Sequence, residues 1–113
     1  MKRVYQDYLE DIFIAINDVA GFTNGFSFET FAADRKTVNA VIRSLEVIGE
    51  AAKQIPPHLQ TQSPEIPWKY MAGMRDKLIH QYFGVDLGIV WAVVKNELPP
   101  LRAEIKLLLS KMN

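Results

Sequence analysis

Apolar residues recur three and four apart along almost the whole chain, and this rhythm divides it into helices. Tyr5, Leu9, Ile12, Ile16 and Val19 share one face of a helix predicted from about Tyr5 to Ala20. Asp7, Glu10 and Asp11 fall in its early turns, where the helix dipole favours negative charge, and Gly21 is placed to stop it. A loop of turn formers, Phe22-Thr23-Asn24-Gly25-Phe26, follows. Ser27 is placed to cap a short turn through Phe28, Phe31 and Ala32, and Asp34 to cap a long second helix from about Arg35 to Gln54. The stripe of that helix is Val38, Val41, Ile42, Leu45, Ile48, Ala52 and Ile55. Gly49, Ala51 and Ala52 are small enough to let a neighbouring backbone come close. Glu46 and Glu50, four apart, read as a solvated face rather than as a metal site.

Pro56-Pro57 ends this helix. The stretch from Pro56 to Pro67 holds four prolines and reads as a loop, long for so small a chain. Pro67 suits the first position of a third helix reaching Tyr82 or Phe83, with Gly84 as its stop. Asp86 is placed to cap a fourth, with the stripe Leu87, Val90, Trp91, Val94 and Leu98. Pro99-Pro100 should kink or restart it before Leu101, Ile105, Leu108 and Met112 carry the pattern to the end. No alternating strand pattern and no internal repeat interrupts the series. The expected fold is all-α, an antiparallel bundle of four to five helices, and residues 1–113 are expected to form a single domain.

The third helix breaks the rule that governs the others. Trp68, Met71, Ala72, Ile79 and Tyr82 form its apolar stripe, and Arg75 falls on the same stripe. A guanidinium on a buried or interfacial face costs free energy unless an anion meets it. With His80 and Tyr82 it gives Arg-x-x-x-x-His-x-Tyr, a combination suited to handling phosphate. On a straight helix Arg75 and Tyr82 lie on nearly one line, about 10 Å apart along the axis. Asp76 and His80, four apart, can meet, so the carboxylate can orient the imidazole. Arg75 and His80 are separated by roughly 140° and do not converge on one small target. Either the helix bends there, or two copies of the motif face each other across a dimer. Plainer readings stand beside this one. His80 is a favourable charge near a helix C-terminus, Arg75 snorkels or pairs with Glu46 or Glu50, and Tyr82 beside Phe83 is core. His58, in the proline-rich stretch, reads as surface.

Composition narrows the chemistry. Thirteen basic and thirteen acidic residues cancel, which argues against bulk electrostatic capture of nucleic acid but leaves a local basic patch open. The absence of cysteine excludes disulfides, thiolate zinc sites and cysteine nucleophiles, and suits a reducing, cytoplasmic setting. The start, Met1-Lys2-Arg3-Val4-Tyr5-Gln6-Asp7, has no apolar run of the secretory kind. No run approaches the ~20 apolar residues needed to span a bilayer, so no membrane association is expected. Glycine-rich phosphate loops, His-Glu-x-x-His and Gly-x-Ser-x-Gly are missing.

The stretch from Ile66 to Phe83, Ile-Pro-Trp-Lys-Tyr-Met-Ala-Gly-Met-Arg-Asp-Lys-Leu-Ile-His-Gln-Tyr-Phe, resembles the signature of the HEPN superfamily, and more narrowly its HepT-like branch. The superfamily pattern of an arginine, a polar residue and a histidine is matched by Arg75, Asp76 and His80. The HepT-like extension is matched by His80 and Tyr82. The resemblance extends to Ile48-Gly49-Glu50-Ala51-Ala52 and to the start of the fourth helix, Val85-Asp86 to Trp91. It implies a metal-independent, cofactor-free endoribonuclease toxin acting on RNA as a homodimer, with Arg75, Asp76 and His80 as catalytic residues of a shared cleft. It also implies a cognate minimal nucleotidyltransferase antitoxin that transfers AMP to Tyr82. The competing expectation, from a different class, is a non-catalytic nucleotide- or partner-binding module that scaffolds a nucleotidyltransferase. The intact Arg-x-x-x-x-His favours the enzyme and the zero net charge favours the binder.

Overall fold

A computed structural model describes residues 4–74, 76 and 86–112, and these are helical with short connections. The first helix, α1 (Tyr5–Thr23), opens with the Asp7 carboxylate accepting from Val4 N at 3.3 Å. It does not stop at Gly21. The helix runs on to Thr23, whose hydroxyl donates back to Val19 O at 2.8 Å and is buried in doing so. The chain turns instead at Gly25, where φ is +81°, a value that favours glycine. Leu9, Ile12, Ala15, Ile16 and Val19 are buried, whereas Tyr5, expected on the same stripe, is exposed at the helix start.

The short helix α2 (Phe28–Ala33) has a reciprocal cap: Ser27 Oγ accepts from Thr30 N at 3.2 Å and Thr30 Oγ1 accepts from Ser27 N at 2.9 Å. Phe31 is fully buried and meets Trp91 with ring centroids 4.9 Å apart. Asp34 caps α3 (Arg35–Lys53) by accepting from Thr37 N at 3.3 Å. Val38, Val41, Leu45, Ile48 and Ala52 are buried as the periodicity predicts, with Ile42 half-buried beside them. Ile55, just past the helix, is buried too.

The proline-rich stretch is not a plain loop. Pro57 opens a helix, α4 (Pro57–Gln62), in a position where a missing N–H costs nothing. Leu59 anchors it in the core, and Gln60 Nε2 donates to Ile55 O at 2.9 Å. The next helix, α5 (Trp68–Ala72), packs against α3. On the far side of the motif come α6 (Leu87–Ala92), one wide π-helical turn over Val93–Glu97, and α7 (Leu98–Ser110). Pro99 and Pro100 mark a restart of the helix, as expected, after a wide turn. They occupy the first turn of α7, and in the wide turn before them Leu98 N donates to Val93 O, five residues back.

α1 lies against α3 and α7, and α2 bridges α3 and α6. Arg102 of α7 crosses to α1, where its Nε donates to Asn17 Oδ1 and its guanidinium sits 5.0 Å from the centre of the Phe13 ring. The buried apolar residues of all these helices form one cluster, from Leu9 to Leu108. No strand occurs among the described residues, and no helix among them is long and apolar enough to cross a membrane. The result is an all-α helical bundle.

Candidate active site

The motif segment is approached from a firmly held helix. Trp68 is buried and its indole Nε1 donates to Ser63 O at 3.0 Å, which locks the start of α5 to the end of the α4 region. α5 ends at Ala72 and Gly73 forms a turn, so the third helix does not run unbroken from Pro67 as expected. Met71 before the turn and Met74 after it are each 1% exposed, which holds the chain in the core up to the residue before the motif arginine. Asp76 is helical and exposed. Arg75, His80 and Tyr82 lie outside the described residues, as does the expected stop at Gly84.

The chain is fixed again at Asp86. Its carboxylate accepts from Gly88 N at 2.9 Å and Ile89 N at 3.2 Å, capping α6 as the sequence predicts. Val90, one turn on, is fully buried. The motif is thus bracketed by Met74 and Val90, two core side chains on different helices.

Two expectations about neighbouring groups can be placed. Glu46 is half-buried and Glu50 exposed, one turn apart on α3. Glu50 Oε1 lies 3.4 Å from Lys53 Nζ. His58 is exposed, as expected, and meets the Tyr5 ring edge-on with centroids 6.4 Å apart. Among the described residues no cluster of three or more histidine, aspartate or glutamate side chains is arranged to hold a metal ion.

Residues that the helical pattern did not single out meet in a cavity between α1 and α3. It measures about 360 Å³ and is lined by Tyr8, Asp11, Arg43, Val47, Glu50, Ala51 and Gln54. The helical pattern gives Asp11 only the dipole of its own helix and does not single out Arg43. The packing of α1 on α3 brings them together, and no spacing rule within either helix could have shown it.

A helical bundle whose core holds the chain before and after an Arg-Asp-x-x-x-His-x-Tyr segment, at Met74 and Val90, points to a class, the HEPN-type helical domains. Within that class the chain belongs to the ribonuclease HepT-like family, whose model matches residues 12–108. It is 53% identical over 106 residues to a protein of Thermococcus cleftensis named probable ribonuclease HepT, an alignment that covers 94% of this chain and 96% of that one. Two proteins of Methanocaldococcus jannaschii that bear provisional RNase names are also similar. One is 48% identical over 98 residues, covering 87% of this chain and 81% of its own. The other is 47% identical over 105 residues, covering 93% and 90%. No solved structure matches the chain significantly.

Proposed function

We propose that this chain is a metal-independent endoribonuclease, the toxin of a toxin–antitoxin pair, with Arg75, Asp76 and His80 as its catalytic residues and one domain, residues 1–113, carrying the activity. The observation that carries the reading is the family match over residues 12–108 together with Arg75, Asp76, His80 and Tyr82 standing at the motif positions. The chemistry needs no cofactor. The 2′-hydroxyl of RNA attacks the adjacent phosphorus, the bond from phosphorus to O5′ breaks, and a 2′,3′-cyclic phosphate forms. One proton leaves O2′ and one is delivered to O5′. An imidazole titrates near neutrality and serves as acid or base, and a guanidinium holds the phosphate oxygens through two parallel hydrogen bonds. Asp76, four residues before His80, orients the ring.

Two copies supply the cleft. Arg75 and His80 diverge by roughly 140° on a straight helix, so a homodimer that faces two motif helices gives each phosphate an arginine from one side and a histidine from the other. Regulation follows from Tyr82. A minimal nucleotidyltransferase antitoxin joins the α-phosphate of ATP to the Tyr82 oxygen, releasing pyrophosphate, and the added adenylate brings a negative charge and a bulky base to the line of Arg75.

The test compares the parent with Arg75→Ala and His80→Ala in an RNA cleavage assay containing EDTA. Cleavage by the parent and loss of about 10²–10⁴ in rate in each variant, with helical circular dichroism unchanged, supports the reading. Equal rates in all three proteins overturn it. The zero net charge supports a second reading, a non-catalytic scaffold for a nucleotidyltransferase. That reading predicts no cleavage by the parent, but binding of the partner enzyme that survives both substitutions.

A further inference from the structure

The α1–α3 cavity combines features that a solvated surface does not need to bring together. Its lining is mixed: a half-buried phenol (Tyr8), two carboxylates (Asp11 and Glu50), a guanidinium (Arg43) and a carboxamide (Gln54), with Val47 and Ala51 as apolar floor. Its volume, about 360 Å³, is at the small end of the ~300–1,000 Å³ usual for small-molecule sites. Arg43 is exposed and makes no hydrogen bond or ion pair among the described residues, although carboxylates line the same cavity. Among the described residues Glu50 is held only by Lys53, in an exposed pair at 3.4 Å of the kind that water readily exchanges. The cavity shares α3 with α5, the helix that leads into the motif in sequence. Glu50, Ala51 and Gln54 belong to the C-terminal end of α3 and its cap, and α3 is the helix on which α5 rests.

The chemistry of the lining selects its ligand. The Glu50 carboxylate only accepts, so the group that meets it must present hydrogen-bond donors. Single-stranded RNA is read through the edges of splayed bases stacked on aromatic rings. Of the four bases, guanine alone presents two adjacent donors, N1–H and the exocyclic amine, on its Watson–Crick edge, and this pair matches the two oxygens of one carboxylate. Adenine and cytosine present one donor beside an acceptor, and uracil one donor between two acceptors. A carboxylate accepts only, so it penalises all three. Arg43 then meets the phosphate of the same nucleotide, and Tyr8 offers a ring to the base.

We propose that this cavity is a guanine subsite for the RNA strand, with Glu50 reading the base edge, Arg43 holding the attached phosphate and Tyr8 stacking on the base. It deepens the ribonuclease reading, on which it rests for its substrate, by naming the base that the strand presents to the α1–α3 cavity.

The experiment titrates the full-length protein with 5′-GMP, AMP, CMP and UMP, following amide shifts by NMR. GMP is expected to bind about tenfold more tightly than the other three, the order of discrimination that one bidentate base contact supplies, with shifts centred on Tyr8, Arg43, Glu50 and Gln54. Glu50→Gln should remove the preference for GMP, weakening GMP and relieving the penalty on AMP. Arg43→Ala should weaken all four nucleotides together, and Arg43→Lys should restore part of that loss. Both positions are exposed, so the fold should survive, which circular dichroism checks. Equal affinity for the four nucleotides, no binding at millimolar concentration, or a GMP preference that survives Glu50→Gln overturns the subsite. Nothing is cleaved in the titration, so the two claims separate. RNA cleavage without a guanine preference removes the subsite alone, and guanine binding without cleavage removes the ribonuclease reading alone.

Discussion

Tyr82 and His80 sit two residues apart and are expected to behave differently under substitution. A phenol, with a reference pKa of about 10, is a poor proton acceptor at neutral pH, so Tyr82→Phe should leave RNA cleavage largely intact. The same change should remove the oxygen that receives AMP. Intact-mass spectrometry after incubation with the partner nucleotidyltransferase and ATP checks this. Addition of AMP to the Phe variant at the parent's level would place the modification on another residue. Asp86 has a structural task. Its carboxylate holds two backbone N–H groups at 2.9 and 3.2 Å where the chain re-enters a helix after the motif. Asp86→Ala should cost about 1 kcal/mol in a urea melt, the usual worth of a cap, and Asp86→Asn much less. A melt unchanged by Asp86→Ala would show that α6 is held by Val90 alone.

At the scale of elements, α3 does the most work, since it meets α1, α2 and α5. Leu45, at its centre, is fully buried, and Leu45→Ala should destabilise the fold by about 2–5 kcal/mol, read as a shift in urea midpoint at constant slope. A shift under about 1 kcal/mol would mean that neighbouring helices collapse into the space. The long helices were legible because one physical fact, a buried face at helical period, repeats over several turns. Val38, Val41, Leu45, Ile48 and Ala52 are buried as their spacing predicts, and the caps at Ser27, Asp34 and Asp86 fall where short polar side chains announce them. Departures occur where breakers are read one residue at a time. Gly21 stays helical because a glycine within a helix is tolerated when its neighbours, here Val19 and Thr23, bury well. Pro57 starts a helix instead of only ending one, whereas Pro99-Pro100 restart one in the first turn of α7, as expected, behind a π-helical turn. The motif stands out in the sequence because Arg75 interrupts the expected apolar stripe. The Tyr8–Asp11–Arg43–Glu50 cavity does not, since its members lie on two helices and become neighbours only through packing.

For the whole molecule the decisive quantity is its association state. One straight motif helix cannot bring Arg75 and His80 to the same phosphate, so the active species is expected to be a homodimer with the motif helix at its interface. Equilibrium sedimentation at micromolar concentration should give twice the 12.9 kDa chain mass, and a monomer there would contradict a composite cleft. The zero net charge of the chain fits a local phosphate grip better than a broad basic surface, so cleavage should depend less steeply on salt than for a protein that neutralises many phosphates. The account stands most directly on the chemistry of the cut. An RNA oligonucleotide should be cleaved in EDTA to give 2′,3′-cyclic phosphate and 5′-hydroxyl ends, and one 2′-deoxy substitution at the cleaved nucleotide should abolish that cut. Cleavage that persists through the 2′-deoxy position, or that leaves 5′-phosphate ends, would contradict it.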